Sequence, residues 1–309
     1  MSYSALRFWV LERPYIRKLL YPANWIRQRI VARRAVISSE DMYKHFCSLV
    51  AEDPVLNVDE FCGSFVMGAT SDIFKRLIME GEYERDLVNA CRSFIVPDRD
   101  IIDVGANIGF FSVWFGKNLD TGKVIAVEPT PSALVLLVKN LVRNEVQNKV
   151  VVYNGALSDR EGYVDVTVIP GKEEYSTIGS MCHPSTLDQR VERIKVRSAT
   201  VDHIADEYSL DVGFIKLDVE GMEHTVLKGA NHVLEKHRPV VVSELSNPLL
   251  TRNGASSIEV VNLIKSYGYR VVDPLMPTVT AGKREYCDIL CVPEERSEKL
   301  RDIFPACRF

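Results

Sequence analysis

Nowhere among its 309 residues does this sequence hold an apolar run near the ~20 residues that a membrane-spanning helix needs. Cysteine is scarce as well. There are seven, an odd number without paired short spacings, which argues against a disulfide scaffold. Cys287 and Cys291 have three residues between them, but no second Cys/His pair completes a zinc set, so buried reduced thiols are expected. Arg7, Glu12 and Arg13 interrupt any apolar stretch at the start before it could act as a signal peptide. Internal repeats and low-complexity segments are lacking too. A cytoplasmic location is the resulting expectation. A net charge of −4 gives no reason to expect nucleic acid as a partner.

What is present is an ordinary globular composition, 46% hydrophobic and 26% charged, with an uneven distribution of charge. Residues 1–34 carry eight Lys/Arg against the single acid Glu12, which leaves a net −11 for the rest of the chain. Phe8, Trp9, Tyr15, Tyr21 and Trp25 lie among those arginines, and Pro14 and Pro22 break the segment into short pieces. Such an arm suits either packing on the body or another subunit, or peripheral contact with a membrane surface. Residues 1–70 are expected to form an N-terminal extension with accessory elements, and 71–309 the main domain.

From residue 101 onward, apolar runs of strand length alternate with helical periodicity. Strands are expected at 101–104, 123–128, 149–153, 213–218, 239–244, 269–273 and 286–292. Helices are expected at 110–118, 131–144, 222–236 and 256–267. A branch at 155–200 holds extended pieces at 163–168 and 193–199, and it is placed as a wall or lid over the bound substrate. This is an α/β, Rossmann-like layout with helices on both faces of the sheet. The last two strands are too close in sequence for a helical crossover, so they are expected as an antiparallel pair at one edge.

The chemistry centres on Asp103-Val104-Gly105-Ala106-Asn107-Ile108-Gly109, a strand that runs into a glycine-bracketed turn and then a helix. Unpaired backbone N–H groups there are expected to face the crevice. At the end of the next strand Glu128 offers a carboxylate to ribose hydroxyls. A dinucleotide fingerprint requires glycine at the places held by Gly105, Asn107 and Phe110, and only Gly105 satisfies it. Pyrophosphate is therefore disfavoured. A ligand with an amino-acid tail fits better: Asp103 and Asn107 can meet its ammonium and carboxylate, and Gly105 lets the backbone come close. S-adenosylmethionine is the cofactor these residues suit.

Asp103 to Gly109, Val127-Glu128-Pro129, Asn154 to Asp159, Thr200-Val201-Asp202 and Lys216-Leu217-Asp218-Val219-Glu220-Gly221-Met222-Glu223 together resemble the FkbM family of methyltransferases in order and spacing. Leu227 to Ala230 and Ser243-Glu244 extend the likeness, which covers roughly residues 80–292. The resemblance implies a class I methyltransferase using S-adenosylmethionine, usually on a hydroxyl of a sugar, polyketide or other small metabolite. It also implies an adenine pocket at Ala156, Leu157 and Ser158, and an acidic residue, here Glu84, within reach of the cofactor's amino group.

A sugar hydroxyl is a poor nucleophile at neutral pH, so a base, a metal or both should assist. Strand alternation places Lys216, Asp218 and Glu220 on one side. Asp218 is the first candidate for orienting the methyl donor or the acceptor hydroxyl, with Glu220 second and Glu244 arriving on the neighbouring strand. Lys216 can hold a carboxylate ionised by attraction. Alternatively Asp218, Glu220 and Glu244 could bind Mg²⁺ through oxygen ligands. His183 in the branch is a further candidate base, and Glu223 and His224 open the following helix. Two other readings stay open: methylation of a nitrogen or protein acceptor, and a methyltransferase-like binding protein without turnover.

Overall fold

The computed structural model describes residues 39–50, 53–169, 176–178, 190–277 and 281–304. His183 and the basic arm at 1–34 lie outside them. The chain divides into two compact units, Met1–Arg85 and Asp86–Phe309.

In the first unit, helix α1 (Ser39–Cys47) and helix α2 (Asp72–Glu80) accompany a hairpin of β1 (Val55–Val58) and β2 (Gly63–Val66). Phe46 stacks on Phe74, and Phe61 meets Phe65 edge-on, so aromatic rings fill a small core. Ser71 caps α2 by accepting from the Phe74 N–H, and Gly81 closes it in the left-handed region. Helix α3 (Arg85–Arg92) begins at the division between the units.

The second unit is built on a seven-stranded sheet. Its strands are β3 (Asp100–Val104), β4 (Val124–Glu128), β5 (Val150–Asn154), β10 (Val212–Leu217), β11 (Val240–Ser246), β12 (Tyr269–Val272) and β13 (Tyr286–Pro293). They lie in the order β12-β13-β11-β10-β3-β4-β5. Every residue of β4 and β10 is buried, as a sheet covered on both faces requires. Strand β13 runs against both β11 and β12, so the expected antiparallel pair is present. The reversed strand lies one place in from the edge.

Helices α4 (Phe110–Asn118), α5 (Pro131–Arg143), α6 (Val201–Glu207), α7 (Glu223–Lys228), α8 (Asn247–Arg252) and α9 (Ser257–Ser266) connect the strands, and α10 (Glu298–Ile303) follows β13. The helix expected over 222–236 is two pieces, α7 and a single π-turn at Val233–His237. Asp202 explains the break: its carboxylate accepts the His232 and Val233 N–H groups and so caps a second helical start. Between the pieces, a Cβ on Gly229 would come within 2.3 Å of the Ser158 carbonyl oxygen.

The branch at 155–200 folds as a second sheet. Strands β6 (Ala156–Leu157), β7 (Gly162–Val168), β8 (Thr177–Ile178) and β9 (Glu192–Ala199) take the order β6-β9-β7-β8. No helix among the described residues is long and apolar enough to cross a membrane.

Candidate active site

The strand order fixes where a ligand can lie. Beyond the carboxyl ends of β3, β4 and β10 a cleft of about 590 Å³, part of it open to solvent, is bordered by Gly105, Asn107, Glu128, Pro129, Asp218 and Glu220. Val127, Leu157, Val166 and Ile178 make its apolar walls, the last three contributed by the small sheet.

The loop between β3 and α4 is held from three sides. Gly105 has φ +78°, and a Cβ there would stand 1.9 Å from the Asp218 carbonyl oxygen. The glycine is thus demanded by the turn after β10, whether or not a ligand also approaches it. Gly109, at φ +94°, faces Leu137 of α5, and Asn140 of the same helix donates to the Ile108 carbonyl at 2.8 Å. Asn107 sits at φ +49°, a conformation that asparagine tolerates better than most residues.

The expectation of unpaired amides facing the crevice fails for Gly105, Ala106, Asn107 and Gly109. Gly105 and Ala106 donate their N–H groups to the Val127 carbonyl, Gly109 donates to Ala106, and Asn107 donates to Glu128 Oε2 at 2.8 Å. Adjacent strand ends use the donors that a pyrophosphate would need. Glu128 also accepts the Thr130 N–H on Oε1 at 2.8 Å. Burial pushes its carboxyl up to about 6, against the pull of these N–H groups. Each oxygen retains a lone pair for a ribose hydroxyl.

Asp103 does not line the cleft. It is fully buried at the end of β3, where Oδ2 accepts from Ser112 Oγ at 2.6 Å and Lys216 Nζ stands 3.9 Å from Oδ1. Burial raises its pKa, with Lys216 and Ser112 opposing. Lys216 lies beside Asp103 in the strand register, reaches Asp218 Oδ2 at 3.1 Å and rests 4.9 Å from the Phe111 ring centroid. Burial alone would lower the Lys216 pKa, but Asp218 and Asp103 outweigh it and the pKa stands raised. An ammonium bracketed by two carboxylates, on an aromatic face, is a buried brace beneath the cleft.

Asp218, Val219 and Glu220 border the cleft together. Strand β10 ends at Leu217, so a left-handed turn, with Glu220 at φ +50° and Gly221 at φ +93°, brings Glu220 there in place of strand alternation. Glu244 is exposed on β11, opposite Asp288, and does not line the cleft. Among the described residues no three His, Cys, Asp or Glu side chains gather as a metal would need, so the expected Asp218, Glu220 and Glu244 set for Mg²⁺ is not assembled.

Ala156 and Leu157 border the cleft as expected, whereas Ser158 turns aside, its N–H donated to Ala199 and its hydroxyl to Asp159. Glu84, in the first unit, pairs with Arg76 at 3.2 Å. His224 does not line the cleft, and burial with Lys228 nearby lowers its pKa. Sequence reasoning missed Val166, Ser176 and Ile178, since the small sheet brings them in from a segment with no distinctive pattern.

The buried carboxylate at the end of β4, the apolar wall beside it and the strand order with a reversed β13 define the class I methyltransferase architecture. An adenosine-bearing donor such as S-adenosylmethionine fits these residues, with apolar contacts for the base and Glu128 for the ribose. The chain belongs to the methyltransferase FkbM domain family, whose model matches residues 103–271. It is similar to the 31-O-demethyl-FK506 methyltransferase FkbM of Streptomyces tacrolimicus, with 30% identity over 208 residues, 58% of this chain and 76% of that one. It is 26% identical over 260 residues to the AMB antimetabolite synthetase AmbE of Pseudomonas aeruginosa, a match that takes in 72% of this chain but only 12% of AmbE. A solved precorrin-6y C5,15-methyltransferase from Geobacter metallireducens overlaps 77% of this chain and 95% of its own, at 16% identity and a TM-score of 0.42. That likeness is too loose to carry anything about the reaction.

Proposed function

We propose that this protein transfers a methyl group from S-adenosylmethionine to a hydroxyl oxygen of a sugar, glycan or glycosylated small metabolite. The observation that carries the proposal is the pairing, in one cleft, of a buried carboxylate suited to ribose, Glu128, with a carboxylate suited to the acceptor, Asp218. When bound, the donor supplies an electrophilic methyl on a sulfonium.

The chain contributes alignment and a proton acceptor. Glu128 fixes the ribose, and Val127, Leu157, Val166 and Ile178 shield the base from water. Asp218 is held by Lys216 through Oδ2, and its Oδ1 takes no protein hydrogen bond among the described residues. Asp218 Oδ1 is the atom assigned to orient the acceptor hydroxyl and receive its proton. Lys216 is two residues away along the strand and keeps that carboxylate from swinging. Glu220 stands beside it at the mouth of the cleft as a second polar contact for the acceptor.

Support for an oxygen acceptor comes from the relative whose printed name describes a 31-O-methylation. The glycan part of the proposal rests on the wider family resemblance. Isotopically labelled S-adenosylmethionine, incubated with the protein and cell extract, should place label on a hydroxyl-bearing metabolite identified by mass spectrometry. Label found on nitrogen or protein instead would overturn the oxygen assignment. Calorimetry that shows binding of NAD and none of S-adenosylmethionine would overturn the whole reading.

A further inference from the structure

The turn that carries Asp218 and Glu220 into the cleft has two successive left-handed residues, Glu220 and Gly221, an arrangement that unsupported backbone does not keep. Three of its anchors are backbone or amide contacts. The Asp218 N–H donates to the Val104 carbonyl at 3.0 Å, the Asp218 carbonyl packs on Gly105, and Asn253 Nδ2 donates to the Gly221 carbonyl at 3.2 Å. The fourth is Glu223. Its Oε1 accepts the Gly221 N–H at 3.1 Å and the Val219 N–H at 3.4 Å, so one oxygen bridges both ends of the turn. The residue is 2% exposed, and its Oε2 is buried with no hydrogen-bond partner. A lone helix-capping acid does not need such an environment, and Glu223 does not line the cleft.

We propose that Glu223 is a positioning residue, whose Oε1 holds the Val219 and Gly221 amides and thereby sets the direction of Asp218 and Glu220 toward the acceptor. The role rests on the methyltransferase reading for its consequence, while the hydrogen bonds themselves do not. Because Oε1 accepts in either protonation state, what matters is an acceptor at the right reach. Burial pushes this carboxyl up to about 7, against the pull of the turn's N–H groups. Charge is thus disfavoured at the site, in keeping with a role as acceptor.

The test compares the full chain with Glu223→Gln, which keeps an amide oxygen at the same reach, and Glu223→Ala, which removes it. Two readouts are taken: hydrogen exchange at the Val219 and Gly221 amides, and transfer of labelled methyl from S-adenosylmethionine to the metabolites of a cell extract. In Glu223→Ala, exchange at those amides should rise ~10-fold or more while β12 and β13 keep their protection. Label transfer should fall ~10-fold or more in the same variant. Glu223→Gln should restore both to within ~3-fold of the parent. If Glu223→Ala unfolds, Glu223→Asp takes its place, since a shortened carboxylate must show the same loosening. Unchanged exchange in the variant that removes the acceptor would overturn the proposal, as would a Glu223→Gln no better than Glu223→Ala. If the parent protein does not bind S-adenosylmethionine, the functional reading fails, and the exchange comparison alone still decides the role of Glu223.

Discussion

Under the proposed function, Glu128 couples ligand affinity to pH. Its two oxygens already receive the Asn107 and Thr130 N–H groups, and burial holds its carboxyl near 6. Protonation removes lone-pair capacity where a ribose must bond, so S-adenosylmethionine affinity should be constant at pH 7–8 and decline as pH falls through about 6. Calorimetric titration at several pH values between ~5 and ~8 measures this. Glu128→Ala should weaken binding at every pH and remove that dependence. Lys216 is a different case. Its side chain is 6% exposed between a fully buried Asp103 and Asp218, so Lys216→Met leaves Asp103 with only Ser112. A loss of ~3 kcal/mol or more in chemical denaturation is expected. Asp218→Asn leaves the brace nearly isosteric and should abolish turnover with little effect on the midpoint.

At the scale of elements, the cleft is made by turns that press against one another. The loop after β3 and the turn after β10 touch at Gly105 and the Asp218 carbonyl, where no side-chain carbon fits. Gly105→Ala also forces a left-handed φ on a residue with a Cβ, and should cost ~3 kcal/mol in thermal or chemical unfolding. Its effect on methyl transfer should exceed its effect on stability, because the Asp218 turn must move to admit the methyl group. The break between α7 and the π-turn shows the same dependence on distant partners. Apolar periodicity over 222–236 is continuous, yet Asp202 caps a new start at His232 and Val233.

For the molecule as a whole, two buried carboxyls place a signature on stability. Glu128 and Glu223 have pKa values raised from 4.5 to about 6 and about 7, so the native state holds their protons more tightly than the unfolded chain does. Their combined contribution therefore falls as pH rises from about 4.5 to about 7 and stays low above that range. For Glu223 the difference amounts to ~3 kcal/mol, so Glu223→Gln should match the parent near pH 4.5 and exceed it by that order at pH 8 in denaturant titrations. Saturation with S-adenosylmethionine at ~100 times its dissociation constant should add ~2.7 kcal/mol, read as a shifted unfolding transition. Hydrogen exchange should map the new protection to the ends of β3 and β4 and to residues 218–220.

Much of this was legible before any coordinate. The strand–turn–helix at Asp103 to Gly109, the acid at Glu128, the strand that delivers Asp218 and the antiparallel final strands follow from apolar periodicity and from residue types that tolerate few backbone conformations, whereas the left-handed turn at Glu220 replaces an expected strand alternation. Those are local properties, and local sequence determines them. The partners were not legible, because they lie tens of residues apart along the chain, 21 for Asn107 and Glu128 and 30 for Asp202 and His232, and farther still for Asp103 and Lys216. Only the tertiary structure turned Asp103 from a ligand contact into half of a buried brace, since register alone sets it beside Lys216. Only the fold spent the loop's N–H groups on Val127 and Glu128, and only the fold brought Val166 and Ile178 to the cleft wall. Sequence by itself determined which elements form and which cofactor chemistry they suit. Burial and long-range hydrogen bonding decided which carboxylates border the cleft and which lie buried beneath it.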